Sequence, residues 1–347
     1  MVDQAEREFF IGANTGRGFV CYAEDIFRGL KRLYLIKGGP GTGKSTLMKT
    51  VARAAKQKGI TVETYRCSSD PDSLDGVVLR ELSVGIMDAT SPHAMEPKYP
   101  GARENLIDLG AFWDAAALAE RFDDIQGKTD EKAATFATVY KYMGVATTLR
   151  GERNRLLTSC VEMAKLQKAV SRWLGELKRE SGAIHSLPRQ ISSMGMKGTV
   201  VLPTYQTAAK AHWQVCDARG LRGVLLEELL RQATAMGIAT WVSRDYAGEV
   251  DALYFPDDGL AVTCEGDAEE ADRLLNTERF LCRECLADKR SRLRFLSRME
   301  TETMERVTDL FAEIRGQHFA LEALYGEAMD YRRVEEATVS LVARLGL

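Results

Sequence analysis

The chain has 347 residues, 45% hydrophobic and 28% charged, with a formal net charge of −3. That length exceeds what one hydrophobic core usually serves and predicts two domains. The balance is that of a globular protein: no basic excess recommends a nucleic-acid partner, and no run of about 20 apolar residues is present to cross a membrane. The acidic opening residues carry no apolar signal core, so the expected location is cytoplasmic. Seven scattered cysteines predict no disulfide framework, and the Cys282-x-x-Cys285 spacing reads as coincidence in a charged helical stretch.

The first predicted element is a short apolar run, Leu33, Tyr34, Leu35 and Ile36, which suits a buried parallel strand. Directly after it stand Gly38, Gly39, Pro40, Gly41, Thr42, Gly43, Lys44 and Ser45, with Thr46 following, in the G-x-x-x-x-G-K-[ST] spacing of a phosphate-binding loop. Glycines let backbone N–H groups curl around phosphates, the lysine reaches the β- and γ-phosphates, and the serine hydroxyl ligates Mg²⁺. Residues 44–58 place Leu47, Met48, Val51 and Ala55 on one helical face, and Gly59 stops that helix. Its N-terminus adds free N–H groups to the anion site.

Residues 60–67 alternate as a second strand, and 68–73 carry turn chemistry. Asp75 and Gly76 begin a short connection to Val77, Val78 and Leu79. Residues 82–88 form an apolar run ending in Asp88, which suits a carboxylate holding Mg²⁺ opposite Ser45. Ala89 stands where many ATPases of this type carry a catalytic Glu, so the base must come from elsewhere or turnover is slow. Asp70, Asp72 and His93 are the polar candidates in strand-end loops, and His93 lies among three prolines that keep its loop extended. From 102 to 184 the composition turns helical, with breaks expected near residues 127–130 and at Gly151.

The second half repeats the first. Leu47 and Met48 fall on Leu225 and Leu226, Ala55 on Ala233, and Arg66 on Arg244, all at an offset of 178. After a two-residue deletion, Asp75 falls on Asp251 and Ile86 on Val262, and residues 149–152 are echoed at 314–317. Opposite the loop the second copy reads Cys216 to Gly223, with Leu221 for Gly43, Arg222 for Lys44, Gly223 for Ser45 and Cys264 for Asp88. A leucine resists a glycine-type backbone, so this copy is expected not to bind Mg·NTP. Arg219 or Arg222 would serve as an arginine finger; a solvated arginine is the plainer reading of each. His318 and Glu322, four apart on a helix, read as an ion pair.

The loop, the segments Phe9 to Phe19 and Cys67 to Gly76, and Ser91, Pro92 and His93 with residues 97–101 together resemble a poorly characterised bacterial family of tandem P-loop ATPase-like proteins, here with a degenerate second loop. The resemblance implies an α/β fold of two pseudo-repeated P-loop NTPase-like domains, mainly parallel sheets flanked by helices, with long helical insertions. We expect a P-loop domain with a helical extension over 1–185 and a degenerate one with C-terminal helices over 186–347. The expected activity is Mg²⁺-dependent ATP or other NTP hydrolysis by the first half. Lys44, Asp88, Asp70 and His93 are the candidate catalytic residues, residues 38–46 bind the nucleotide, and Ser45 and Asp88 hold the metal. A small-molecule kinase and a non-hydrolysing nucleotide-controlled switch are the alternatives, with a protein partner or homo-oligomer possible.

Overall fold

A computed structural model describes residues 7–178, 186–266 and 269–347. The first half runs β1 (Arg7–Phe10), β2 (Gly12–Thr15), β3 (Gly18–Cys21), α1 (Ala23–Ile26), β4 (Arg32–Lys37), α2 (Lys44–Gln57), β5 (Val62–Arg66), β6 (Leu74–Leu79), β7 (Val84–Asp88) and β8 (Glu104–Asp108). Three helices follow: α3 (Ala115–Glu120), α4 (Phe122–Thr158) and α5 (Met163–Leu174). The second half repeats this with β9 (Ser186–Pro188), β10 (Ser192–Gly195), β11 (Gly198–Val201), α6 (Thr204–Ala208), β12 (Ala211–Cys216), α7 (Arg222–Ala235), β13 (Thr240–Arg244), β14 (Val250–Phe255), β15 (Leu260–Thr263) and β16 (Arg273–Asn276), then α8 (Arg283–Glu327) and α9 (Tyr331–Arg344).

Each half builds a six-stranded sheet. The orders are β1-β5-β6-β7-β4-β8 and β16-β12-β15-β14-β13-β9, so every strand of one sheet has its counterpart in the other. Both sheets are mainly parallel, with β6 and β14 inserted antiparallel. The expected connection at Val77, Val78 and Leu79 is therefore strand. All six residues of β6 are buried, Asp75 and Gly76 among four apolar ones, so the stretch shows no alternation, and that pattern alone does not separate an inserted strand from a loop.

Two further expectations are corrected. Residues 104–108 form the edge strand β8 beside β4, not helix. Helix α4 runs unbroken over 37 residues through Gly127 and Gly151. A Cβ at either glycine would meet open space, and α4 lies antiparallel against the 45-residue α8, so packing along the pair outweighs a local cost of about 1 kcal/mol per glycine. Phe136, Val139, Tyr140 and Met143 of α4 interleave with Val307, Leu310, Phe311 and Ile314 of α8. At one end of this pair Arg150 is buried against Asp245 and Glu300, and Arg153 bonds the same Glu300.

The antiparallel pair also joins Cys160 to Cys285 in a disulfide spanning 125 residues of sequence, with Cα atoms 5.4 Å apart. This corrects the expectation that no cysteines pair. Cys285 bonds a residue distant in sequence rather than Cys282, because only the α4–α8 contact brings the two together. Cys21, Cys67, Cys216, Cys264 and Cys282 are free.

The helices after each sheet cross over. α5 packs on α7 in the core of the second sheet, with Leu166, Val170 and Trp173 against Leu225, Leu226 and Leu229. α9 packs on α2, where Val334 and Leu341 join Leu47, Met48 and Val51 in the core of the first sheet. The crossing is symmetric in its hydrogen bonds. Asp114 N–H donates to Ala328 O and Asp330 N–H to Phe112 O, matched 168 residues on by Cys282 to Cys160 and Glu162 to Phe280. The register here is 168, so the sequence echo of 149–152 at 314–317 lies three residues off; along a long helix a three-residue slip nearly restores the buried face. The antiparallel hairpins β2–β3 and β10–β11 clasp the halves in the same reciprocal way, Gly16 N–H donating to Tyr246 O and Met196 N–H to Ser69 O.

Among the described residues, no helix is long and apolar enough to cross a membrane.

Candidate functional site

Strand β4 delivers its buried residues Leu33 to Ile36 into the sheet and ends at Lys37, and α2 begins at Lys44. The six residues between them make the loop. Gly38 has φ +155°, Gly41 +69° and Gly43 +85°; the last two are left-handed, which favours glycine. Thr42 is buried and its Oγ1 donates to Gly39 O at 2.9 Å, tying the loop across its base. Gly43 caps α2 without a side-chain acceptor, so no cap residue blocks the helix N-terminus. Thr46 is exposed on the first turn of α2.

Lys44 is nearly enclosed, 12% exposed at its side chain. Its Nζ donates to Gly38 O at 2.9 Å and Gly39 O at 2.6 Å and lies 3.5 Å from Asp88 Oδ2. Ser45 Oγ accepts from Leu74 N–H at 3.0 Å, which ties the head of α2 to the start of β6. The next residue, Asp75, stands beside the C-terminal end of β7, where Asp88 lies, because Gly76 pairs with Met87.

Asp75, Asp88 and His93 form one buried cluster, with a ligand atom from each within 4.8 Å of the others. Asp75 Oδ2 lies 3.2 Å from His93 Nε2 yet receives no aligned hydrogen bond, and His93 Nδ1 is likewise unpartnered. Burial opposes charge on His93, but Asp75 and then Asp88 outweigh it and raise its pKa. Two carboxylates and an imidazole, with one carboxylate oxygen orphaned and buried, make a donor set that suits a divalent cation.

Of the residues chosen from sequence, Lys44, Ser45, Asp88 and His93 are brought to this end of the sheet. Asp70 is not in the cluster. Its carboxylate holds its own turn, accepting from Asp72 N–H and Ser73 Oγ, and Asp72 pairs with Lys197. Asp75 is not legible as a cluster member from the sequence, because residues 75–79 read there as a connection.

The other wall of the loop comes from the far end of the chain. Tyr331 Oη donates to Gly41 O at 2.8 Å. A Cβ on Gly41 would stand 2.6 Å from Glu322 O, and one on Gly39 would touch Trp113 and Tyr325 at 3.3 Å. The helical pair read from the i, i+4 spacing is present, with His318 Nε2 3.4 Å from Glu322 Oε1. Its placement over the loop was not legible.

The second copy is closed by its own chemistry. Cys216 ends β12, so it corresponds to Lys37 rather than Gly38, and the loop to α7 is one residue shorter. Leu221 takes the place of Gly43 with φ −90° and is fully buried. The Asp217 carboxylate accepts from Leu221 N–H at 2.8 Å, Arg222 N–H at 2.7 Å and Thr277 Oγ1 at 3.0 Å. An internal carboxylate thus sits where the first copy leaves its helix terminus uncapped. Arg222 lies 3.7 Å from Asp245, and Arg219 pairs with Glu278 at 3.0 Å; both contacts lie within the second half. Burial pushes the Cys264 thiol up to about 12, so it stays neutral at the position that corresponds to Asp88. Asp251, the counterpart of Asp75, lines a cavity of about 230 Å³ with Arg222 and Asp245. Compared with known proteins, the chain matches no family model, no curated protein and no solved structure.

Proposed function

We propose that the first half binds and hydrolyses a nucleoside triphosphate, ATP being the first to test, and that the second half is catalytically silent. One observation carries the reading. A nearly enclosed Lys44 meets Asp88 at 3.5 Å, beside a glycine loop that opens onto an uncapped helix terminus. Burying a lysine–carboxylate pair carries a desolvation cost, which hydrogen bonds from Lys44 to two loop carbonyls and from Thr90 to Asp88 offset here, and anionic phosphates would share that lysine. On binding, Lys44 exchanges the Gly38 and Gly39 carbonyls for phosphate oxygens. Ser45 and Asp88 are the residues to hold a divalent cation, with Asp75 beside them; the cation supplies charge neutralisation at the phosphates. The resemblance to tandem P-loop ATPase-like proteins points the same way. In the second half, Asp217 fills the anion position and no hydroxyl follows Arg222.

The test is Mg·ATP binding by calorimetry together with phosphate release. Wild type binds, and Lys44→Ala weakens binding at least about 100-fold, the loss of close to 3 kcal/mol expected for a charge-assisted phosphate contact. Absence of binding by wild type, or equal binding by Lys44→Ala, overturns the reading.

A second reading, a nucleotide-controlled switch, is favoured by Tyr331 and Glu322, which seat the C-terminal helices on the loop. Phosphates that enter there act on both halves. Tight Mg·ATP binding with negligible turnover would select it.

A further inference from the structure

Ala89 leaves the carboxylate strand without an adjacent base, and Asp70 is spent on its own turn. The structure supplies another carboxylate from 234 residues further on. We propose that Glu322 of α8 is the water-activating base of the first half's hydrolytic site, held in place by His318. The proposal rests on the NTPase reading above.

Four observations place it. The Glu322 backbone lies against Gly41, so close that any Cβ there would collide with its carbonyl. Its side chain is about one-third exposed, enclosed enough to be directed and open enough to meet water. His318, one turn earlier on α8, stands 3.4 Å from the carboxylate. The groups facing it from neighbouring elements are Lys44 of α2, Lys132 of α4 and Tyr331 of α9. His318 first, then the Gly41 amide and Lys44, hold the Glu322 carboxyl below the ordinary glutamate range, so it is ionised at neutral pH. Burial lowers the Lys132 pKa, and Glu322 partly offsets that shift.

In the step, Glu322 takes a proton from water as the water oxygen bonds to the γ-phosphorus. The bond from that phosphorus to the β-phosphate oxygen breaks, and the leaving diphosphate keeps the electron pair beside Lys44. The base therefore comes from the second half, which makes the silent copy a structural contributor to the working site.

Mg·ATP binding and phosphate release are measured on the full chain for wild type, Lys44→Ala, Glu322→Gln and Glu322→Asp, with melting temperatures as the folding check. Glu322→Gln is expected to bind within about 3-fold of wild type and to turn over at least about 100-fold more slowly, the range for removal of a general base. Glu322→Asp recovers part of the rate. Turnover by Glu322→Gln within about 3-fold of wild type overturns the proposal. So does tighter binding with unchanged turnover, which would make Glu322 an occupant of the phosphate position. If Lys44→Ala abolishes binding while Glu322→Gln is fully active, only this inference falls. If wild type binds no ATP, both readings fall.

Discussion

Gly41 and Gly59 offer a matched pair of alanine substitutions, because both sit in left-handed backbone, at φ +69° and +73°. A Cβ costs about 1–2 kcal/mol in that conformation whatever surrounds it. At Gly59 nothing lies within 4 Å, so the backbone term stands alone. At Gly41 the added carbon would stand 2.6 Å from the Glu322 carbonyl, short of ordinary contact by about 0.8 Å, and the obstacle is helix backbone that cannot swing aside. Relieving it means moving α8 off the loop, which adds about 1–3 kcal/mol, the usual cost of overpacking. Gly41→Ala is therefore expected to lose about 2–5 kcal/mol against about 1–2 for Gly59→Ala. Urea denaturation followed by circular dichroism reads both, and the slopes report whether the native state has loosened. Equal losses for the two variants would refute the seating of α8 on the loop and, with it, the placement of Glu322.

Asp217→Ala removes a carboxylate that accepts three hydrogen bonds at the head of α7. The expected loss is about 1–2 kcal/mol, with no gain of Mg·ATP binding by the second half; an unchanged melting temperature would refute the capping role. Asp251 is partly buried, with its Oδ1 shielded from water, and desolvation is the main cause that raises its pKa from 3.8 to about 6. The folded state thus holds its proton more tightly than the unfolded chain. The stability this gives is complete below about pH 3.8 and is lost as pH rises through about 6. Asp251→Asn is expected to be more stable than wild type by up to about 3 kcal/mol at pH 7 and to narrow that gap toward pH 4; a constant difference across that range would sink the assignment.

The local chemistry of the candidate site was legible in the sequence. Strand, glycine loop and helix fall within a single stretch of residues. Their signals are short-range: an apolar run, glycines at positive φ, and a 3–4 spacing of Leu47, Met48, Val51 and Ala55. The duplication was legible for the same reason, since α2 and α7 keep an offset of 178, and the strand order shared by the two sheets bears it out. The second loop's departure from the first was visible in Leu221 and Gly223, though the Asp217 carboxylate that caps it was not, because a carboxylate aimed back at its own helix leaves no spacing signal.

What only tertiary structure decided is whatever joins residues far apart in the chain. Six buried residues at 74–79, four of them apolar, do not say whether they pair antiparallel, yet that pairing sets Asp75 beside Asp88. Cys160 meets Cys285, and Glu322 meets Gly41, only because two long helices lie antiparallel and their following helices exchange sheets. Sequence determines local conformation through bonds of short reach. Which surfaces then cover one another is set by the burial of apolar faces, a force without direction that takes its geometry from the whole fold.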